Sequence, residues 1–234
     1  MANWITHIRI ADKLLEYDLP LEAKGFCIGS IAPDCNIENA DWSSFEPSRE
    51  VTHFMTGKSK LTADFDGFFS KYIKGKSFLN EEEKSFFLGY YAHLITDVEF
   101  TKFIREEERI RNMYARIKER TDLWGILKDK PENFDTVKSV FDKDFRTRDL
   151  IHFEQKYILE KPKSLYNTIL RKIENFPDYI DILPKGAIAR KIPIMAYEVT
   201  SVCPAEFIVF TEEEYEKFVD QTVNLIYEKI KRIK

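Results

Sequence analysis

Apolar residues recur at spacings of three and four through residues 84–108, at Phe86, Phe87, Tyr90, Tyr91, Leu94, Ile95, Val98, Phe103 and Ile104. That period predicts a helix with a broad buried face. Asn80 stands where its N-cap belongs, Glu81, Glu82 and Glu83 suit the positive end of the dipole, and Glu83 is a capping-box partner. The same period predicts helices over 4–17, 21–31 and 60–73, then over 147–160, 164–175, 186–200 and 212–233. The last is signalled by Thr211 with Glu214 in a capping box and by Phe210 set to staple onto Tyr215. Pro20 is placed to start the second helix, and Pro193 interrupts the seventh. The charged stretch 105–120 continues the central helix or begins another, as a solvated face or as a lid over the site. Residues 122–143 are shorter and broken, with a helix starting near Pro131. No strand pattern, repeat or low-complexity run stands out, and 36–49 reads as a loop.

Only 8 Gly and 9 Pro in 234 residues, against 44% apolar residues, favour an all-α fold with one sizeable core over a β-rich or disordered chain. The expected organisation is a single helical domain over 1–234: a metal-site half at 1–104, and a helical remainder at 105–234 with the candidate lid near 105–145. A net charge of −4 argues against a nucleic-acid partner. Three cysteines, Cys27, Cys35 and Cys203, cannot pair completely and form no zinc-knuckle spacing. The first twenty residues carry Arg9, Asp12, Lys13, Glu16 and Asp18, unlike a secretory signal. No run reaches the ~18 apolar residues of a membrane span. A reduced, cytoplasmic protein is the expectation.

Polar residues inside greasy runs carry the candidate chemistry. His93 and Asp97 are four apart, so both leave one face of the central helix. Gly89 lies one turn earlier on that face. Gly25 and Gly29 share a face of the second helix, each at a cost of ~1 kcal/mol against alanine, which predicts that a helix or ligand comes very close. His7, Asp34 and His53 lie on three further elements. Helical bundles assemble metal sites from such inward groups. Three imidazoles and two carboxylates suit zinc, and also iron, manganese or nickel. Arg49 and Lys102 are candidates to pair with phosphate oxygens, and Thr52 and Thr96 to orient ligands. Trp42 and Phe45 either rim a pocket or pack in the core. His152 reads as a half-buried helical histidine.

The phrases WITHIRIADKLL, FCIGSIAPD, VTHF and FFLGYYAHLITD occur in series over about the first hundred residues. In kind and order they resemble the zinc-dependent phospholipase C family, whose fold is shared with P1-type nucleases. The resemblance implies a multi-helix phospholipase C/P1 nuclease-like bundle. It implies one zinc held by Asp34, His53, His93 and Asp97, and a second held by His7 with Asp97 bridging. Secreted members use a terminal tryptophan as a ligand, and here Trp4 lies three residues before His7. They bind a third zinc through a His-x-x-x-Glu pair. Here His152 is followed four residues on by Lys156, so that site is missing and one or two ions are expected.

The function implied is hydrolysis of a small-molecule or lipid phosphate ester by a metal-activated water, with Asp34 taking its proton. Two alternatives stand beside it. One is a helical phosphohydrolase of the HD kind acting on nucleotides, although the chain has no His-Asp dipeptide. The other is a helical protein that keeps a metal for structure alone.

Overall fold

The computed structural model describes residues 2–233. Among them the fold is all-α, with a single two-stranded hairpin. Helix α1 (Trp4–Leu15) and α2 (Ala23–Gly29) lead into a 3-10 turn (Ala32–Asp34). The hairpin β1 (Ile37–Glu38)/β2 (Phe45–Glu46) and the short α3 (Arg49–Thr52) follow. A second 3-10 turn (Lys60–Thr62) and α4 (Phe65–Tyr72) precede the central helix α5 (Glu81–Phe103). Then come α6 (Glu107–Lys118), α7 (Thr121–Leu127), α8 (Phe134–Val140) and α9 (Lys143–Glu160). A π-helical turn (Tyr166–Leu170), α10 (Ala187–Met195) and α11 (Glu212–Ile230) complete the order.

Several boundaries differ from expectation for local reasons. Helix α2 starts at Ala23 rather than after Pro20, because the Glu22 carboxylate accepts from the N–H groups of Lys24 and Gly25. The stretch 60–73 splits, because Asp64 caps α4 through the Gly67 N–H at 2.8 Å. The region 36–49 is a hairpin too short to show a strand period. At α5, Asn80 caps the Glu83 N–H at 2.8 Å, while the Glu83 carboxylate reaches the N–H of Leu79 rather than that of Asn80. The α11 capping box forms as read. Segment 105–120 is a separate helix. Arg109 reaches the Val209 carbonyl, Arg116 pairs with Glu214 and Arg105 with Asp135, so this region is tied to the entry of α11.

Helix α5 is buried on almost every side. Its backbone meets that of α2 through glycine. A Cβ on Gly25 would lie 2.1 Å from the Glu82 carbonyl oxygen, one on Gly29 2.1 Å from that of Phe86, and one on Gly89 2.3 Å from that of Phe26. The close approach predicted at Gly25 and Gly29 is therefore made by a helix. It brings Ser30, at the end of α2, against His93 on α5.

The other wall comes from the C-terminal half. Phe100 packs edge-on against Phe218 of α11, and Phe86 stacks on Phe176. Asn3 does not cap α1 through its own side chain. Glu154 of α9 does that work from 148 residues away, accepting from the Thr6 N–H at 3.1 Å and the Thr6 hydroxyl at 2.6 Å. Burial pushes the Glu154 carboxyl up to about 7, although its hydrogen bonds to Thr6 and Asn3 favour the charged form. Between about pH 4.5 and 7 the folded protein therefore keeps a proton that the unfolded chain has lost, so stability falls as pH rises through that window. Glu154→Gln should reduce that fall by about 3 kcal/mol. Urea midpoints at pH 5 and pH 8 check it, and an unchanged difference would refute the assignment.

Candidate metal centre

Two short elements and two long helices converge on one buried point. His7 comes from the second turn of α1, Asp34 ends the first 3-10 turn, His53 caps α3, and His93 and Asp97 face inward from α5. His7, His53, His93 and Asp97 are each at most 2% exposed, and Asp34 is the most open at 9%. The Nε2 atoms of His53 and His93 lie 3.2 Å apart. Asp34 Oδ1 is 3.2 Å from His53 Nε2, and Asp97 Oδ2 is 3.5 Å from both imidazoles. Asp97 turns its other oxygen, Oδ1, towards His7 Nε2 at 3.7 Å. The His7 and His93 rings stack at 3.8 Å.

Backbone carbonyls set the imidazole orientation. His93 Nδ1 is 2.8 Å from the Ser30 carbonyl and His53 Nδ1 is 3.0 Å from that of Arg49. A carbonyl only accepts, so both rings carry their hydrogen on Nδ1 and present a bare lone pair at Nε2. Thr52 Oγ1 sits 2.9 Å from the same His53 Nδ1, and the Tyr90 hydroxyl donates to the Thr52 carbonyl, fixing the ring's support. Thr96, expected to play a similar part, donates instead to the Ala92 carbonyl one turn back in α5.

Two lone pairs facing each other at 3.2 Å repel unless a cation lies between them. The separations among His53, His93 and Asp97, and from Asp34 to His53, are 3.2–3.5 Å, which suits donors around an ion with bonds of ~2.0–2.1 Å, the distance zinc takes to nitrogen and oxygen. His7 Nδ1 and Nε2 and Asp97 Oδ1 are buried without a hydrogen-bond partner, which is costly unless an ion satisfies them, and Asp97 Oδ2 has the Lys60 ammonium at 2.7 Å. Burial, with the neighbouring His93, holds the His7 imidazole well below its usual range, and burial with Lys60 lowers His53, so both rings stay neutral and able to ligate. Burial works against the charged forms of Asp34 and Asp97. It is outweighed at Asp34 by His53, His93 and Lys60, and at Asp97 by Lys60, His93 and His7, so both carboxyls lie below the usual range. The donor set fits a divalent metal. Two triads, His7–His93–Asp97 and Asp34–His53–His93, bring their ligand atoms within 4.8 Å of one another.

Of the two cations read as phosphate partners, Arg49 lies on the element that carries His53. Its guanidinium lies 4.0 Å from the Phe45 ring centroid, and its Nε has no partner. Lys102 is elsewhere. It is exposed, pairs with Glu99 at 2.7 Å, and stands five residues beyond Asp97, roughly 140° around the helix. The hairpin beyond Asp34 is clamped from α10, where Arg190 makes two bonds to Glu38, Lys191 makes a third, and Trp42 lies over Lys191. His152 is remote from the cluster, with Nδ1 2.7 Å from the Cys203 carbonyl.

Sequence reading missed Lys60. Its Nζ lies 2.7 Å from Asp97 Oδ2, with only 10% of the side chain exposed. Its setting, KSKLT, reads as an ordinary polar turn and carries no signal. No helix among the described residues is long and apolar enough to cross a membrane. No curated protein and no solved structure matches the chain. Residues 6–99 match the family model described as zinc dependent phospholipase C, and all five clustered residues lie inside that match. Over that segment the chain is similar to the zinc-dependent phospholipase C family.

Proposed function

We propose that the chain is a metal-dependent hydrolase of a phosphate ester, a phosphodiester or phospholipid, with Asp34, His53, His93, Asp97 and His7 as its metal residues. The observation that carries this reading is the pair of Nε2 lone pairs aimed at each other among two ionised carboxylates. A bound zinc would supply Lewis-acid polarisation and lower the pKa of a water towards neutrality. The chain's own contributions are distinct. Ser30 and Arg49 hold the two imidazoles in the ligating tautomer through their carbonyls. Asp34, at the open rim, takes the proton of the attacking water. Arg49, held against Phe45 with Nε free, pairs with a phosphate oxygen. Lys102, turned away with Glu99, has no part in this proposal.

Four protein donors around one position also describe a closed structural site, which favours the non-catalytic alternative as the second reading. Hydrolysis of a chromogenic phosphodiester separates the two. The zinc-loaded protein should turn it over, a chelator should abolish the activity, and Asp97→Asn should lose at least about 100-fold. A wild type that binds zinc yet shows no more turnover than Asp97→Asn would leave the structural reading in its place.

A further inference from the structure

The cluster holds two carboxylates and, beside them, one ammonium. Lys60 Nζ lies 2.7 Å from Asp97 Oδ2, on the carboxylate that two ions would have to share. The donors divide unequally. His53 Nε2, His93 Nε2 and Asp97 Oδ2 lie within 3.5 Å of one another and Asp34 Oδ1 lies 3.2 Å from His53 Nε2, so these four atoms converge on one ion position. Once these are assigned, the described residues leave His7 Nε2 and Asp97 Oδ1, 3.7 Å apart, facing a second ion. Trp4 is the first residue of α1, after the N-cap Asn3, whose carbonyl accepts from the His7 N–H at 3.4 Å. One divalent ion balances Asp34 and Asp97. A second would add two charges to a pocket already holding the Lys60 ammonium, against two remaining ligands.

We infer that Lys60 disfavours a second metal ion, so that this centre binds one divalent ion tightly, with the ammonium on Asp97 Oδ2 neutralising the carboxylate that a second ion would have to share. The inference rests on the metal reading proposed above and departs from the two-ion expectation. Lys60 leaves the 3-10 turn Lys60–Thr62, held to the chain by Ser59, whose side chain accepts from the Leu61 N–H, and by the Asp64–Phe54 backbone bond. The ammonium is therefore presented by an ordered turn.

The test is metal stoichiometry, read without any assay of activity. Cobalt(II) is titrated into metal-free protein and followed by its visible d–d absorption, with elemental analysis of zinc-dialysed protein as a second measure. Wild type should reach its end point at one equivalent. Lys60→Ala and Lys60→Met, the latter keeping the length and apolar stem, should take up a second equivalent at least 100-fold more tightly than wild type does. A wild type that binds two ions with similar affinity would overturn the inference and leave the metal centre standing. Variants that still stop at one equivalent would also overturn it. A wild type that binds none would sink both.

Discussion

His93→Ala should weaken zinc binding by more than about 100-fold, the upper end of what is lost when only a ligand's outer support is removed. His93 belongs to both ligand triads. Its Nε2 lies 3.2 Å from His53 Nε2 and 3.5 Å from Asp97 Oδ2, its Nδ1 is held by Ser30, and its ring forms the wall on which His7 stacks. Alanine removes a donor and the support of a second imidazole together. Competition against a chromogenic chelator measures the loss. Retention of wild-type affinity would mean that the metal, if bound, sits elsewhere.

Gly29→Ala should cost about 2–3 kcal/mol and lower Tm by roughly 5–10 °C. Alanine normally gains up to ~1 kcal/mol over glycine in a helix. Here the added methyl would lie 2.1 Å from the Phe86 carbonyl oxygen, a backbone atom of the fully buried α5, so two helices must part. Parting them draws the Ser30 carbonyl away from His93 Nδ1, so zinc affinity should fall along with stability. Gly125 is the control. Nothing lies within 4 Å of a Cβ built there in α7, so Gly125→Ala should be neutral or slightly stabilising. Equal Tm values for the two variants would refute the close-packed account.

What the sequence disclosed follows from how each residue acts. The Asn80 cap, the Thr211–Glu214 box and the His93/Asp97 pair act through their own side chains at fixed local spacing, which a sequence displays directly. Gly25 and Gly29 were legible because two glycines in a helix have a cost that needs a cause. The Ser30 and Arg49 carbonyls were not, because backbone groups carry no signature of residue type. Glu154 was hidden by distance, since its partner Thr6 lies 148 positions away and its own neighbours look like any amphipathic turn. Lys60 was hidden by composition, one lysine in a lysine-rich turn. Lys102 shows the opposite error, where nearness along a helix was read as nearness in space although the residue lies round the far side.

The cap that α9 lends to α1 means that the stretch carrying the family's signature does not stand by itself. Its first ligand-bearing helix is held from outside, by a carboxylate and by the Tyr215 hydroxyl against Thr6. The later chain thus supplies the earlier part with a foundation, and loosening Glu154 or Tyr215 would unsettle a ligand-bearing helix from the opposite end of the sequence.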